Sequence, residues 1–103
     1  MNVAISVASE TIIVLHPAAE HTVQHQPAAP RLATLRGMTI ALIDNHKRNA
    51  DVYLDELEQL LRERHEVADV ITYRKVSMSM PTPEEVLNDL RQACDALIHA
   101  VAD

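Results

Sequence analysis

The chain has 103 residues, which is the size of one small domain. Its formal net charge of −6 argues against nucleic acid or an anionic membrane surface as a partner, because both require clustered Lys and Arg side chains. Tyr53 and Tyr73 are the only aromatic residues, which excludes base stacking as a binding mode, and the single cysteine, Cys94, excludes an intrachain disulfide.

The amino terminus does not resemble a secretory signal. It lacks a basic n-region, and Ser6, Ser9 and Glu10 interrupt its apolar run, which is also too short and polar to span a membrane. We therefore expect a cytoplasmic protein.

Residues 1–37 are predicted to form a segment separate from the main domain. Val3–Val7 and Thr11–Leu15 are short β-type runs that form either a hairpin or a single edge strand. Pro17–Pro30 is rich in proline, alanine and histidine and has no regular apolar period, which is typical of a linker or mobile arm. We expect one helical turn at Arg31–Arg36, followed by a turn at the single glycine, Gly37.

The main domain, residues 38–103, begins with a strand at Met38–Asp44. This strand is apolar on consecutive positions, which indicates burial on both faces of a parallel sheet. A helix capped by Asn49 follows and runs to about His65, with acidic residues near its start and basic residues near its end. Its predicted apolar stripe contains Tyr53, Leu54, Leu57, Leu60 and Leu61.

The second half of the domain repeats the pattern. A strand is predicted at Ala68–Tyr73, and a last strand at Ala96–Val101. Between them, Thr82 is the predicted N-cap of a helix, with Pro83 in its first position and Glu85 completing a capping box. This helix should end near Cys94, with Val86, Leu87, Leu90 and Ala93 facing inward.

The apolar character of the first domain strand also predicts the strand order. Right-handed crossovers in the order 3-2-1 would place both helices on one face and leave the other face of this strand bare. The order 2-1-3, counted from Met38, covers both faces. We therefore predict a Rossmann-like or flavodoxin-like βαβαβ half-domain with a three-stranded parallel sheet.

The Asp44–Asn49 loop is the best candidate site. Ligands of open α/β sheets bind beyond the carboxyl ends of the strands, and the free N–H groups at a helix start favour an anion. We predict that Asp44, Asn45, Lys47, Asn49 and Asp103 bind a small-molecule or thiol substrate, because strand order brings the loop beside Asp103. The alternative is a solvated loop with a capping asparagine. Because the loop has no glycine, it is not a phosphate-binding P-loop.

Two families with chemistry on this loop match it incompletely. Asp44, His46 and Asn49 resemble a cobalamin motif, but asparagine stands where that motif has glycine and its downstream elements are missing. Asp44 and Asp103 resemble the acids of response-regulator receivers, but receivers carry adjacent acids where this chain has Asp44-Asn45.

Histidines provide the remaining candidates. His21 and His25 would share one helical face together with His16 nearby, but the surrounding prolines disfavour a helix, so we predict no metal site and no cofactor. His99, in the middle of the last strand, is expected to be buried and hydrogen-bonded.

Four segments resemble a known family. They are Arg31–Leu35, Thr39–Asn45, the Lys47-x-Asn49-Ala50-Asp51 loop and Asp95–Asp103. Together they are similar to the amino-terminal part of the bacterial selenoprotein family named for its U-G-S-C motif. The resemblance implies a Rossmann-like fold and thiol or selenol redox chemistry, with selenocysteine or cysteine opening a Gly-Ser-Cys loop directly after the acid at Asp103.

The resemblance also predicts how the sequence continues. Selenocysteine is encoded by UGA, so a reading frame interpreted by ordinary rules would end after Asp103. We therefore expect an amino-terminal fragment of a selenoprotein, inactive by itself, whose open sheet edges favour a homo-oligomer. The alternative, from a different functional class, is a small non-catalytic α/β binding or regulatory domain.

Overall fold

The computed structural model describes residues 2–7, 10–18 and 25–102, the first of these ranges by its backbone alone. The chain divides into two compact units, Met1–Pro30 and Arg31–Asp103. The described residues contain five strands and two helices. Neither helix combines the length and apolar character that a membrane crossing would require.

The first unit contains a β-hairpin. Strand β1 (Asn2–Val7) pairs antiparallel with β2 (Glu10–Leu15), in a register that sets Ile5 opposite Ile12. Of the two predicted alternatives, the hairpin is therefore the one observed. All side chains of β2 are exposed, so this strand adds no buried core. Residues 25–30, part of the predicted arm, form neither helix nor strand, and residues 19–24 of that arm lie outside the described residues.

The second unit is an α/β domain whose elements alternate as predicted. They are β3 (Thr39–Asp44), α1 (Ala50–His65), β4 (Asp69–Arg74), α2 (Glu84–Ala93) and β5 (Ala96–Ala100).

The three strands form a parallel sheet in the order β4-β3-β5. When the two hairpin strands are counted, the sheet order is 4-3-5 and not 2-1-3. The predicted order 2-1-3 counted strands from Met38. The neighbours of each strand are nevertheless the predicted ones, because the first strand of the domain lies between the other two. The register aligns Asp44, the last residue of β3, with Arg74 of β4 and Ala100 of β5.

The central strand β3 is buried on both faces. Ile40 and Leu42 belong to one core cluster with Leu54 and Leu61 of α1, while Ala41 and Ile43 pack with Leu90 of α2. Since alternate residues of a strand point to opposite faces, the two helices cover opposite sides of the sheet. This is the arrangement that the apolar run of β3 requires.

The apolar stripe of α1 is narrower than predicted. Ala50, Leu54 and Leu61 are buried and Leu57 packs against them, but Tyr53 is 54% exposed and Leu60 is 40% exposed. The spacing explains the difference, because residues 50, 54, 57 and 61 follow one line along a helix, whereas 53 and 60 lie beside it. The prediction that Tyr53 and Leu60 face the core was wrong.

The start of α2 also differs from the prediction. The helix begins at Glu84 with Pro83 as N-cap, and no side chain of the described residues caps it. Pro83 has φ −57° and ψ 143°, so it is extended rather than helical, and the predicted capping box of Thr82 and Glu85 does not form. Ala93, predicted to face inward, is exposed.

The segment before β3 forms a turn instead of the predicted helical turn. The Arg36 N–H donates to Thr34 Oγ1, and the Met38 N–H donates to the Leu35 carbonyl. Gly37 has φ 75°, a left-handed conformation that costs glycine no steric energy, and its N–H donates to the Glu66 carbonyl after α1. The turn thereby ties the start of β3 to the end of α1.

Burial differences along α1 predict the effect of two matched substitutions. Leu54→Ala should lower the free energy of unfolding by about 2–5 kcal/mol, because it opens a cavity in the core. Leu60→Ala should lower it by about 1 kcal/mol or less, because the leucine is partly solvated before the change. Urea denaturation followed by circular dichroism measures both. Equal losses for the two variants would contradict the described packing of α1.

Candidate functional site

Asp44 is a buried carboxylate at the carboxyl end of the central strand. It is 3% exposed, and its Oδ1 accepts the His46 N–H at 2.8 Å. Its Oδ2 lies 3.6 Å from Nε of Arg74, the residue beside it on β4. An N–H donor and a guanidinium therefore compensate the buried charge. The carboxylate holds the start of the following loop, which makes Asp44 a residue that shapes the site.

Asn45 connects the ends of all three strands. Its backbone N–H donates to the Ala100 carbonyl of β5 at 2.7 Å, and its side-chain Nδ2 donates to the Val101 carbonyl at 3.1 Å. Its Oδ1 accepts a hydrogen bond from Lys75 Nζ at 2.7 Å, directly after β4. The side-chain amide thus donates to the residue that follows β5 and accepts from the residue that follows β4.

Lys75 is the main site residue that the sequence did not single out. It is 7% exposed, and its N–H donates to the Asp44 carbonyl at 2.9 Å. Its own carbonyl lies 2.7 Å from His46 Nδ1. Because a carbonyl can only accept, Nδ1 carries the hydrogen, and Nε2 is the ring atom left for other partners. In the sequence, Arg74-Lys75 is only a short basic pair, although its position directly after a parallel strand was the available signal.

The rest of the predicted loop leads into α1. Asn49 is the N-cap, as predicted, but its φ of 65° is left-handed and its side chain makes no capping hydrogen bond to any described residue. Asn49 thus occupies the predicted N-cap position, and its side chain is exposed. Lys47 is half-buried, and its carbonyl accepts the Ala50 N–H at 3.1 Å.

A sequence model of the UGSC family matches residues 13–103. The chain belongs to the UGSC family. Comparison with curated proteins gave no match, and comparison with solved structures gave none either. Membership thus rests on the family match, which covers the α/β domain and the polar loop described above.

The predicted site residues of this UGSC-family chain are only partly placed together. Asp44 and Asn45 lie at the carboxyl edge of the sheet, Lys47 follows them in the loop, and Asn49 begins α1. Asp103, the last predicted member, lies outside the described residues. His46, Arg74 and Lys75 join the arrangement through the contacts above.

His99, a candidate from the sequence, and Cys94, the single cysteine of the UGSC-family chain, differ in burial. His99 is exposed, not buried as predicted, because α2 packs over Ala41 and Ile43 and leaves this position of the edge strand uncovered. Cys94 is half-buried against the core beneath α2. Within the described ranges, no three His, Cys, Asp or Glu side chains come together as a metal site, and His21 lies outside those ranges.

A separate open groove of about 390 Å³ lies at the opposite end of β5. It is lined by Leu87, Arg91, Cys94, Asp95, Ala96 and Leu97. Since Ala96 begins β5 and Ala100 ends it, this groove is remote from the polar edge formed by Asp44, Asn45 and Lys75.

The contacts of Asn45 predict that its side chain stabilises the UGSC-family domain. Asn45→Ala removes the hydrogen bonds to Lys75 and Val101 and should lower the free energy of unfolding by about 1–3 kcal/mol. The control is Asn88→Ala at an exposed position of α2, which should change it by about 0.5 kcal/mol or less. Chemical denaturation of both variants tests this, and an Asn45→Ala variant as stable as the control would contradict the described contacts.

Proposed function

We propose that this chain is the amino-terminal part of a selenol- or thiol-dependent redox protein with a Rossmann-like fold. In this proposal the reactive residue opens a Gly-Ser-Cys loop directly after Asp103, and the Asp44–Asn49 loop binds the substrate. The observation that carries the proposal is the 3.1 Å hydrogen bond from Asn45 Nδ2 to the Val101 carbonyl, which brings the end of β5 against that loop.

Chain geometry limits where such a nucleophile can lie. A residue three positions after Val101 is at most about 11 Å away from it along an extended chain. Val101 itself accepts a hydrogen bond from Asn45, whose Oδ1 is bound to Lys75. A nucleophile at that position would therefore be close to the carboxyl edge of the sheet, where ligands of open α/β sheets bind.

The charges at this edge favour an anionic nucleophile. Selenols ionise at neutral pH, and a neighbouring cation stabilises a thiolate or selenolate. Lys75 supplies a buried ammonium group, and Arg74 supplies a guanidinium beside Asp44. The net charge of −6 for the whole chain makes this local positive charge distinctive.

The proposed reaction is reduction of a disulfide-containing or other electrophilic small molecule. With a disulfide, the selenolate attacks one sulfur, a Se–S bond forms, the S–S bond breaks, and the other sulfur leaves as a thiolate. The cysteine of the Gly-Ser-Cys loop then attacks the selenium as a thiolate, so that a Cys–Se bond forms and the bond from selenium to the substrate sulfur breaks. This releases the second substrate thiolate and leaves a Se–S bond within the protein. The substrate gains two electrons, and the protein loses two.

Sequencing the DNA downstream of codon 103 tests the proposal. We expect UGA, followed in frame by codons for Gly, Ser and Cys and then by further α/β periodicity. A UAA or UAG codon, or a reading frame without Gly-Ser-Cys, would contradict the redox function. The chain would then be a small non-catalytic α/β binding or regulatory domain.

A further inference from the structure

Lys75 is buried, and no carboxylate among the described residues forms an ion pair that would balance its positive charge. The residue is 7% exposed, and its Nζ donates to the neutral Asn45 Oδ1. Among the described residues, no carboxylate forms an ion pair with it, and the nearby Asp44 carboxylate is ion-paired with Arg74. A buried charge held by a neutral amide is costly because it has lost its hydration without gaining an opposite charge.

Basic residues are concentrated around Lys75. Of the nine Lys and Arg residues in the chain, four lie at or just after the carboxyl ends of the neighbouring strands β3 and β4. They are Lys47, Arg48, Arg74 and Lys75. The Arg74 side chain is 54% exposed beside the buried Asp44 carboxylate. This edge therefore combines a buried ammonium with exposed positive charge.

From this arrangement we propose that the carboxyl edge of the sheet binds a small oxyanion, a carboxylate or phosphoryl group, through the Lys75 ammonium. Asn45 is a positioning residue, because its side chain holds Nζ while its backbone is fixed to β5. Lysine acts as a point charge that either oxyanion can use. The inference rests on the proposed function only in placing the substrate at this edge, and it requires no selenol.

Both carboxylate oxygens of Asp44 are engaged with protein groups, which favours an anionic ligand at this edge. Its Oδ1 is bound to the His46 N–H, and its Oδ2 faces Arg74. The carboxylate is thus engaged in holding the loop, and the Lys75 ammonium is the charged group at this edge whose described side-chain partner is neutral. A ligand that presents negative charge complements that donor, whereas a cationic ligand would oppose it.

The test is an NMR titration of the uniformly ¹⁵N-labelled 103-residue chain at constant ionic strength. Sodium acetate and sodium phosphate are titrated in separate arms, with sodium chloride replaced in step. We expect saturable shifts of the Asn45 side-chain amide and of the His46 backbone amide in at least one arm, and the stronger arm identifies the oxyanion. Shifts that stay linear in both arms, or that match the chloride control, would overturn the proposal.

Matched variants show whether Lys75 is responsible. Lys75→Met keeps an unbranched side chain of similar length without the charge, so binding should weaken by about tenfold or more. Arg91→Gln removes one positive charge from α2, in the groove at the other end of β5, and should bind like the parent chain. Circular dichroism checks that both variants are folded, and Lys75→Gln replaces Lys75→Met if the latter is not. Equal binding by the parent and a folded neutral variant would overturn the assignment to Lys75.

The outcomes separate this inference from the redox proposal. Saturable oxyanion binding together with a UAA or UAG codon after Asp103 would support the anion site and reject the redox function. A UGA codon followed by Gly-Ser-Cys, with no saturable binding in either arm, would retain the redox function and reject the anion site.

Discussion

The burial of β3 on both faces is the constraint from which the rest of the α/β domain follows. Ile40, Ala41, Leu42 and Ile43 are each at most 2% exposed. Such a strand needs a helix on either side and a neighbouring strand at both edges. Its carboxyl end must therefore emerge between the ends of β4 and β5, which places Asp44 and Asn45 where all three strands finish.

The polar side chains at this edge hold one another in place through hydrogen bonds and an ion pair. Asp44 and Lys75 are both buried, yet they do not form an ion pair within the described residues, because Asp44 faces Arg74 and Lys75 faces Asn45. The Asn45 amide links the lysine to the Val101 carbonyl. The arrangement keeps the ammonium in place without cancelling its charge, which is what an anion-binding or thiolate-stabilising site requires.

The sequence predicted the elements that depend on apolar pattern and missed those that depend on tertiary contacts. Consecutive apolar residues in β3 were enough to predict its central position. The Asp44–Asn49 loop could be predicted as the candidate site because ligands of open α/β sheets bind beyond the carboxyl ends of the strands. Lys75 could be recognised only once the register placed it beside Asn45. The exposure of His99 depends on which positions α2 covers, and the failed capping box depends on the extended backbone at Pro83. Neither is encoded in local spacing.

Asn45 holds a buried Lys75 ammonium at the carboxyl edge of the sheet. Proton NMR of the lysine side chains, with ¹⁵N labelling, measures this directly at neutral pH. A hydrogen-bonded, shielded ammonium exchanges slowly with water, so we predict an observable Lys75 NH₃⁺ signal with a nuclear Overhauser effect to the Asn45 side-chain amide. A Lys75 ammonium in rapid exchange, with no such effect to Asn45, would contradict this account.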